Sequence, residues 1–269
     1  MAEVEKKLEG KVAIVTGAGS SGPGVGTGKA ISILLAREGA RVILVDKFQN
    51  RAQETLDLIR SEGGEATIVV ADLGQIPECQ RIVDEAVAIY GGVDILINNA
   101  AMSSSTSLLD TTPELYQQML AINLTAPFML SKAAIPEIIK RGGGSVIFIT
   151  SIAALRGQGG AKGSAAYSAS KGGLHGLMTD IAAVYGPFGV RVNCVAPGMI
   201  NTPMRAGVMA KSGLDVETLN KALAKRTSLG IEGTAWDIAK STLFLVGPDG
   251  SYITSVLLPV DAGVTQRMG

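Results

Sequence analysis

The segment KVAIVTGAGSSGPGVGTGKAISILLAR, from Lys11 to Arg37, decides the fold. It begins as a β-branched strand that ends at Thr16-Gly17, continues through a glycine-dense loop, and ends in an apolar helical pattern from about Lys29. A strand, a glycine loop and a helix in this order predict a phosphate cradle, because backbone amides at a helix N-terminus carry partial positive charge. Gly26-Thr-Gly28 leads most directly into the helix.

The same loop could instead be the Walker A loop of a nucleotide triphosphatase, with Gly28-Lys29 at its end. That motif requires glycine five positions before Gly28 and serine or threonine directly after the lysine. The chain has Pro23 and Ala30 at those positions. Both requirements fail, so this class of site is excluded.

Six further apolar runs follow the first strand, at residues 41–46, 66–72, 93–98, 145–151, 190–196 and 256–260. The first four strands recur at intervals of about 25 to 30 residues with helical patterns between them, which is typical of a parallel sheet. The pattern predicts the α/β class: a doubly wound parallel sheet in a single domain, residues 1–269, with helices on both faces. A ligand should lie at the carboxyl ends of the strands.

Composition and charge exclude several classes of partner. The 24 basic and 24 acidic residues balance without a basic run, so we expect neither nucleic acid nor membrane as a partner. Cys79 and Cys194 lie far apart without metal-ligand spacing and the chain has one histidine, so we expect no metal site. The absence of a signal peptide pattern predicts a cytoplasmic protein whose partners are small molecules or copies of itself.

The residue that ends the second strand indicates which dinucleotide binds. Asp46 lies near the roughly 20-residue offset at which an acidic residue accepts from the ribose hydroxyls of NAD and repels the extra phosphate of NADP. We expect NAD, although Lys47 could hold that phosphate, which leaves NADP open, and Asp46 could be only a helix cap. Asp72, after the third strand, could reach the adenine edge beside Leu73.

Tyr167-Ser-Ala-Ser-Lys171 supplies a candidate acid/base pair. If residues 165–185 are helical, the phenol and the amine project from one face, a turn apart. An ammonium group roughly 4 Å away contributes about 4 kcal/mol at an effective dielectric of 20, enough to lower a phenol pKa by two to three units. The alternative is that the two residues only decorate an exposed helix.

Other polar positions accompany that pair. Asn98-Asn99-Ala-Ala101 closes the fourth strand, and Ser151 ends the fifth strand before a glycine-rich loop that leads to the Tyr167 helix. Asn123 and Pro127 interrupt a long helical pattern, which predicts a kink with a freed carbonyl that could hold water. Asn123 could equally be a core hydrogen bonder. Pro197-Gly198 ends the sixth strand, and residues 199–230 read as an amphipathic, movable lid.

With these residues in hand, the chain resembles the short-chain dehydrogenase/reductase family over essentially its full length. The order and spacing of the matching motifs are together specific: Thr16-Gly17 with the glycine loop, Asn98-Asn-Ala-Ala101, Asn123, Ser151, Tyr167-x-x-x-Lys171, Arg191-Val-Asn193 with Pro197-Gly198, and Asp261-Ala-Gly263. The resemblance implies a seven-stranded Rossmann sheet and a homotetramer formed through the Tyr167 helix and the helix that begins near Pro113.

The resemblance also implies a role for each catalytic residue. Tyr167 would be the general acid/base, Lys171 would lower its pKa and bind the nicotinamide ribose, Ser151 would orient the substrate oxygen, and Asn123 would hold a water that links Lys171 to solvent. The implied cofactor contacts are Gly17, Gly26, Gly28, Asp46, Asp72, Leu73, Asn99, Tyr167, Lys171, Pro197, Gly198 and Thr202. His175 has no catalytic role in the family and reads as an interface residue.

Two departures from the family pattern affect these assignments. The glycine loop is about five residues longer than usual, so which glycines contact pyrophosphate stays open. The interval from Ser151 to Tyr167 is about three residues longer, with residues 159–163 as the expected bulge, and a loop can absorb that without moving either residue.

Three functions remain from the sequence. The first is an NAD-dependent oxidoreductase that interconverts a secondary alcohol and its ketone; the second is an NADPH-dependent carbonyl reductase; the third is a non-enzymatic NAD-binding regulator. Apolar residues near the expected mouth, Met102, Leu155, Met199 and Met204, indicate a hydrophobic or cyclic alcohol. Arg156 and Lys162 could instead recruit an anionic group.

Overall fold

Seven parallel strands form one sheet whose order reverses between its first and fourth strands. The computed structural model describes residues 6–104, 106–157, 163–203 and 224–267 of the chain. The strands are β1 (Val12–Thr16), β2 (Arg41–Asp46), β3 (Glu65–Val70), β4 (Ile95–Asn98), β5 (Gly144–Ile149), β6 (Val190–Pro197), β7 (Ile200–Asn201), β8 (Gly233–Thr234) and β9 (Leu257–Val260). The sheet runs β3-β2-β1-β4-β5-β6-β9, and β7 pairs separately with β8.

Helices cover both faces of the sheet. They are α1 (Thr27–Arg37), α2 (Gln49–Ser61), α3 (Ile76–Tyr90), α4 (Pro113–Leu120), α5 (Ala126–Lys140), α6 (Ala165–Tyr185) and α7 (Ala235–Val246). Side chains of α1, α2 and α7 pack into one core, and those of α3, α5 and α6 pack into the other. The predicted single-domain Rossmann fold with a seven-stranded, doubly wound sheet is therefore confirmed.

Alternation along the strands explains why there are two cores. In β1, Val12 and Ile14 belong to the core under α3, α5 and α6, whereas Ala13 and Val15 belong to the core under α1, α2 and α7. Successive side chains of a strand point to opposite faces, so a strand covered on both sides must be apolar throughout. All five residues of β1 are buried.

The long helical run from Pro113 to Lys140 contains the expected irregularity. A π-helical turn, Ala121–Thr125, separates α4 from α5. This 28-residue run has the length and mean hydropathy, 1.2, of a membrane span. That is weak evidence for a membrane, because its α5 half supplies buried residues such as Leu130 and Ile138 to a core of the sheet.

Two predicted strands end earlier than their apolar patterns. β3 ends at Val70 and β5 at Ile149, so Asp72 and Ser151 lie two residues beyond the strand ends, in loops. Residues 204–223 of the predicted lid and residues 159–162 of the predicted bulge lie outside the described residues. The short strand β7 lies near the start of the predicted lid, β8 follows the end of the lid, and the two strands pair with each other.

Candidate active site

A cavity of about 940 Å³ opens at the carboxyl ends of the strands, where the strand order reverses. Ligands bind at this position in doubly wound sheets, because the loops on either side of the reversal diverge and leave a crevice. Most of the residues singled out from the sequence line it: Gly17, Gly26, Gly28, Asp46, Asp72, Leu73, Asn99, Ser151, Tyr167, Lys171, Pro197, Gly198 and Thr202. Asn123 is fully buried and lies outside the cavity lining.

The turn after β1 requires glycine at both of its ends. Gly17 has a φ of 63°, and a Cβ there would lie 2.9 Å from the Cα of Ala100. A Cβ on Gly28 would lie 2.0 Å from the carbonyl oxygen of Gly17. The turn and the first residues of α1 therefore approach each other more closely than any side chain allows.

Asn99 fastens this turn to the end of β4. Its side-chain Nδ2 donates to the carbonyl oxygens of Thr16, at 2.8 Å, and Gly17, at 3.1 Å. The sequence led us to expect that the amide pair ties strand ends together, and Asn99 does so. The side chain of the neighbouring Asn98 is buried and has no hydrogen-bond partner among the described residues.

The lengthened loop shapes a cradle at the N-terminus of α1. The Gly26 amide donates to Ser20 Oγ at 2.8 Å, and the Gly19 amide donates to Asp46 Oδ2 at 3.0 Å. Gly26 is the N-cap of α1 and provides no side-chain cap. An anion at this end would thus meet free amides and the positive end of the helix. The sequence interpretation omitted Gly19, although Gly17-x-Gly19 carried the signal.

Charges at the end of β2 are arranged in pairs. Lys47 Nζ lies 2.7 Å from Asp72 Oδ2, and hydrogen bonds from Lys47 and from the Gly74 amide hold the pKa of Asp72 below its usual range. Lys47, which could have held an extra phosphate, is therefore paired with a carboxylate in this structure. The sequence interpretation missed Arg51, which lines the cavity with its guanidinium 4.2 Å from the Phe48 ring centre.

Tyr167 and Lys171 face the opposite end of the cavity from α6. Lys171 is 2% exposed, and its Nζ donates to the carbonyl oxygen of Ile149 at 2.7 Å. The same Nζ lies 6.0 Å from the centre of the Tyr167 ring. The exposed-helix alternative is excluded by this placement, because both side chains lie against the cavity rather than in solvent.

Burial opposes ionisation of both groups. It raises the pKa of Tyr167, while hydrogen bonding with Ser151 acts in the lowering direction, and it lowers the pKa of Lys171 to about 8. A low-dielectric site disfavours the charged form of either group. The sequence predicted a lowered pKa for Tyr167, and the surroundings of this side chain act in the opposite direction, because burial outweighs the hydrogen bond with Ser151.

Asn123 lies in the π-helical turn and uses its side chain for the core. Its Nδ2 donates to the Met102 carbonyl at 2.8 Å and to Ser170 Oγ at 3.0 Å, and its Oδ1 accepts from the Met102 amide at 2.8 Å. The side chain of Asn123 is thus a core hydrogen bonder, which is the alternative that the sequence left open. Its backbone carbonyl lacks the α-helical donor four residues on, because Pro127 has no N–H.

Ser151 and Gly198 border the catalytic end. Ser151 follows β5 in an extended conformation, and its Oγ accepts from the Ala153 amide at 3.1 Å, which fixes the hydroxyl beside the cavity. A Cβ on Gly198 would lie 2.6 Å from the Cα of Asp261, so the backbone after Pro197 packs closely on the segment after β9. Of the predicted apolar mouth, Met102 and Met199 line the cavity. Met204 and Lys162 lie outside the described residues.

The two cysteines are buried and the histidine is partly buried, which suits packing rather than reaction. Cys79 and Cys194 are buried and unpaired with each other, and burial raises their thiol pKa values to about 11 and about 12. Within the described ranges, no three potential ligands converge as a metal site would require. The buried Nε2 of His175 has no hydrogen-bond partner among the described residues, and burial lowers the pKa of His175.

A dinucleotide fits these features of the cavity. Gly17, Gly26 and Gly28 line the cavity without side chains, so a phosphate could approach the backbone there, and the amides at the start of α1 supply the donors. Asp46 stands at one end, and Tyr167 and Lys171 stand at the other.

Comparisons with known proteins agree with this architecture. The family model described as "Enoyl-(Acyl carrier protein) reductase" matches residues 23–265. The human Dehydrogenase/reductase SDR family member 4 is 35% identical over 262 residues, which cover 97% of this chain and 90% of that protein. A 7α-hydroxysteroid dehydrogenase, solved with NADH and 7-oxo glycochenodeoxycholic acid, is 31% identical, with a TM-score of 0.86 and full coverage of both chains.

A second solved structure carries the other nicotinamide cofactor. A protein from Beutenbergia cavernae, assigned as an NAD(P)-dependent gluconate 5-dehydrogenase and holding NADP at low occupancy, is 30% identical with a TM-score of 0.87. The match covers 98% of this chain and 100% of that one. Similar proteins thus bind either cofactor.

Proposed function

Because the chain belongs to the short-chain dehydrogenase/reductase family and is an oxidoreductase, we propose that it interconverts a secondary alcohol and its ketone with NAD as the hydride carrier. One observation carries this proposal: Ser151, Tyr167 and Lys171 converge on the same cavity that the glycine turn and Asp46 line. A non-enzymatic regulator would have no need for that convergence.

Bound NAD supplies the hydride acceptor, and the residues of the chain move the proton. Ser151 Oγ holds the substrate oxygen by a hydrogen bond, and the Tyr167 phenolate takes the proton of the hydroxyl group as hydride leaves the carbon. The Lys171 ammonium stabilises that phenolate and binds the nicotinamide ribose. The carbonyl of Asn123 holds a water that passes the proton on. In the reverse direction Tyr167 returns the proton to the ketone oxygen.

Asp46 and the Lys47–Asp72 pair support NAD over NADP. The carboxylate of Asp46 would accept from the ribose hydroxyls, and Lys47 is engaged by Asp72 at 2.7 Å. Gly17, Gly26 and Gly28 would hold the pyrophosphate, Asp72 and Leu73 the adenine, and Asn99 the nearby ribose. Pro197, Gly198 and Thr202 would hold the carboxamide. The second candidate, an NADPH-dependent carbonyl reductase, is supported by Arg51, a cation at the same end of the cavity.

We expect NAD to be preferred and Asp46→Ala to shift the ratio of kcat/KM for NAD over NADP toward NADP by about ten- to a hundred-fold, because a carboxylate that repels phosphate is removed. The measurement is reduced-cofactor absorbance with a panel of secondary alcohols, ketones and one enoyl thioester. A wild-type preference for NADP would favour the second candidate. Turnover of the thioester alone would overturn the alcohol assignment.

We further propose a cytoplasmic homotetramer that binds neither nucleic acid nor membrane. Exposed apolar side chains on α4, α5 and near the end of α6 support the assembly, namely Tyr116, Phe128, Val184 and Phe188. Balanced charge supports the absence of polyanionic partners, and two unpaired cysteines suit a reducing compartment.

A further inference from the structure

Four basic side chains from three separate segments line the catalytic end of the cavity. Arg156 lies five residues after Ser151, Lys225 and Arg226 lie in the described last part of the predicted lid, before β8, and Arg267 lies after β9. All four are exposed at the rim. Their sequence separation shows that the fold, rather than a local basic run, brings the four positive charges together.

Hydrogen bonds join these three segments to one another. Arg156 Nη1 donates to the carbonyl oxygen of Val264, and Arg267 Nη1 donates to the carbonyl oxygens of Lys225 and, at 3.0 Å, Thr227. These two guanidinium groups are thus held by neutral carbonyls, which leaves their charge uncompensated. The side chains of Lys225 and Arg226 make no hydrogen bond with the described residues, so they are free to bind a ligand.

The charge balance of this end differs from that of the cofactor end. The two acidic residues among the described lining residues, Asp46 and Asp72, both lie at the end of β2, beside Lys47 and Arg51. None of the four rim cations forms an ion pair within the described part of the chain. In a chain with zero formal charge, this concentration of one sign creates a local field for an anion.

We propose that the substrate is a hydroxy acid whose carboxylate binds Arg156, Lys225, Arg226 and Arg267 while its hydroxyl reaches Tyr167. Met102, Ile152, Met199 and Val264 line the space between, so the part of the substrate that joins the two groups is apolar. Guanidinium groups suit a carboxylate, because their planar donors bind both oxygens. The inference rests on the proposed alcohol oxidation and adds the substrate class.

The test compares each acid with its neutral methyl ester. Lactate, 4-hydroxycyclohexanecarboxylate and cholate span a range of lengths, and each is assayed with NAD beside its ester. At least one acid should have a kcat/KM ten-fold or more above that of its ester. Activity toward that acid should fall as salt is raised to 0.15 M, where the Debye length is about 8 Å, while activity toward the ester changes little.

A double variant separates the rim cations from the catalytic residues. Lys225→Gln with Arg226→Gln removes two positive charges. Neither side chain makes a hydrogen bond or an ion pair with the described residues. The double variant should lower kcat/KM for the acid by about ten- to a hundred-fold and leave the ester and the KM for NAD unchanged. Lys132→Gln with Lys240→Gln removes two exposed charges outside the cavity lining and should change none of these values.

Each outcome has a distinct meaning. Equal turnover of acids and esters would overturn the anion site and leave the proposed alcohol oxidation intact. A rise in the KM for NAD in the double variant, with no loss specific to the acid, would assign the cations to the cofactor and also overturn the proposal. Turnover of neither acids, esters nor the wider alcohol panel would instead contradict the proposed function itself.

Discussion

Tyr167 becomes a usable base only if a nearby charge offsets its burial. Coulomb interaction at 6 Å contributes about 3 kcal/mol at an effective dielectric of 20, or about two pKa units. The distance from Lys171 Nζ to the ring centre is 6.0 Å, and burial raises the pKa of Tyr167. The two effects act in opposite directions, so the groups that a bound cofactor and substrate add to the site shift the balance between them.

Tyr167→Phe should lower kcat/KM for alcohol oxidation by at least about a thousand-fold, because the proton acceptor is lost while the ring and its packing remain. NADH binding, followed by fluorescence titration, should stay within about three-fold of the wild type. Activity retained by the variant would show that another group is the acid/base. Loss of NADH binding would mean that the substitution disturbs the pocket, so turnover would then be measured in Tyr167→His.

At the residue scale, the sequence predicted which residues form the site better than it predicted which side chains contact one another. Tyr167, Lys171 and Ser151 could be found because their spacing along a helix and a strand end is local. The Lys47–Asp72 pair could not, since its residues are 25 positions apart. Arg156 was predicted to recruit an anion, but its grouping with the distant Lys225, Arg226 and Arg267 could not be found from the sequence. The side chain of Asn123 was ambiguous because only the fold shows that Met102 and Ser170 occupy it.

At the scale of elements, the glycine turn tests the cofactor assignment. Gly28→Ala should weaken NADH binding by at least about ten-fold, because its Cβ would lie 2.0 Å from the Gly17 carbonyl oxygen and force the cradle apart. Isothermal titration calorimetry measures the affinity of each variant for NADH. Gly22→Ala is the matched control in the same loop, where the nearest atom to a new Cβ is 3.6 Å away. Equal affinities for both variants would contradict the assignment.

Arg191 joins β6 to the end of α7. Its guanidinium, partly buried, donates to the carbonyl oxygens of Leu245, Val246 and Gly250. Arg191→Ala should lower the free energy of unfolding by about 3 kcal/mol, since several carbonyls lose a charged donor. Thermal unfolding followed by circular dichroism measures it. An unchanged midpoint would show that water replaces the guanidinium without cost.

Element bounds could be predicted closely where patterns end in caps or glycines. Residues 41–46 and 165–185 were predicted with the bounds that β2 and α6 have. The ends of β3 and β5 were placed too late, because the strand-like sequence continues to Asp72 and Ser151 after ladder pairing stops at Val70 and Ile149. An apolar pattern reports burial, whereas a strand end depends on hydrogen bonds to a neighbouring strand.

At the scale of the whole molecule, the proposed tetramer makes a prediction about exposed apolar surface. Phe128 and Val184 are 47% and 51% exposed in the single chain. Phe128→Glu with Val184→Glu should convert a tetramer to smaller species, because buried charges oppose association. Sedimentation velocity measures the mass. Leu58→Glu, an exposed position on α2, is the control. A wild-type monomer would contradict the assembly.

The measurement that tests the central claim most directly is the pH dependence of alcohol oxidation in the wild type, Lys171→Ala and Lys171→Arg. Oxidation requires the phenolate, so kcat at saturating NAD should rise with pH through the apparent pKa of the site. Removing the ammonium group should move that rise upward by about one to two units, because it no longer stabilises the phenolate, and Lys171→Arg should keep it near the wild-type position. Identical profiles for all three proteins would contradict the claim that Lys171 makes Tyr167 a base.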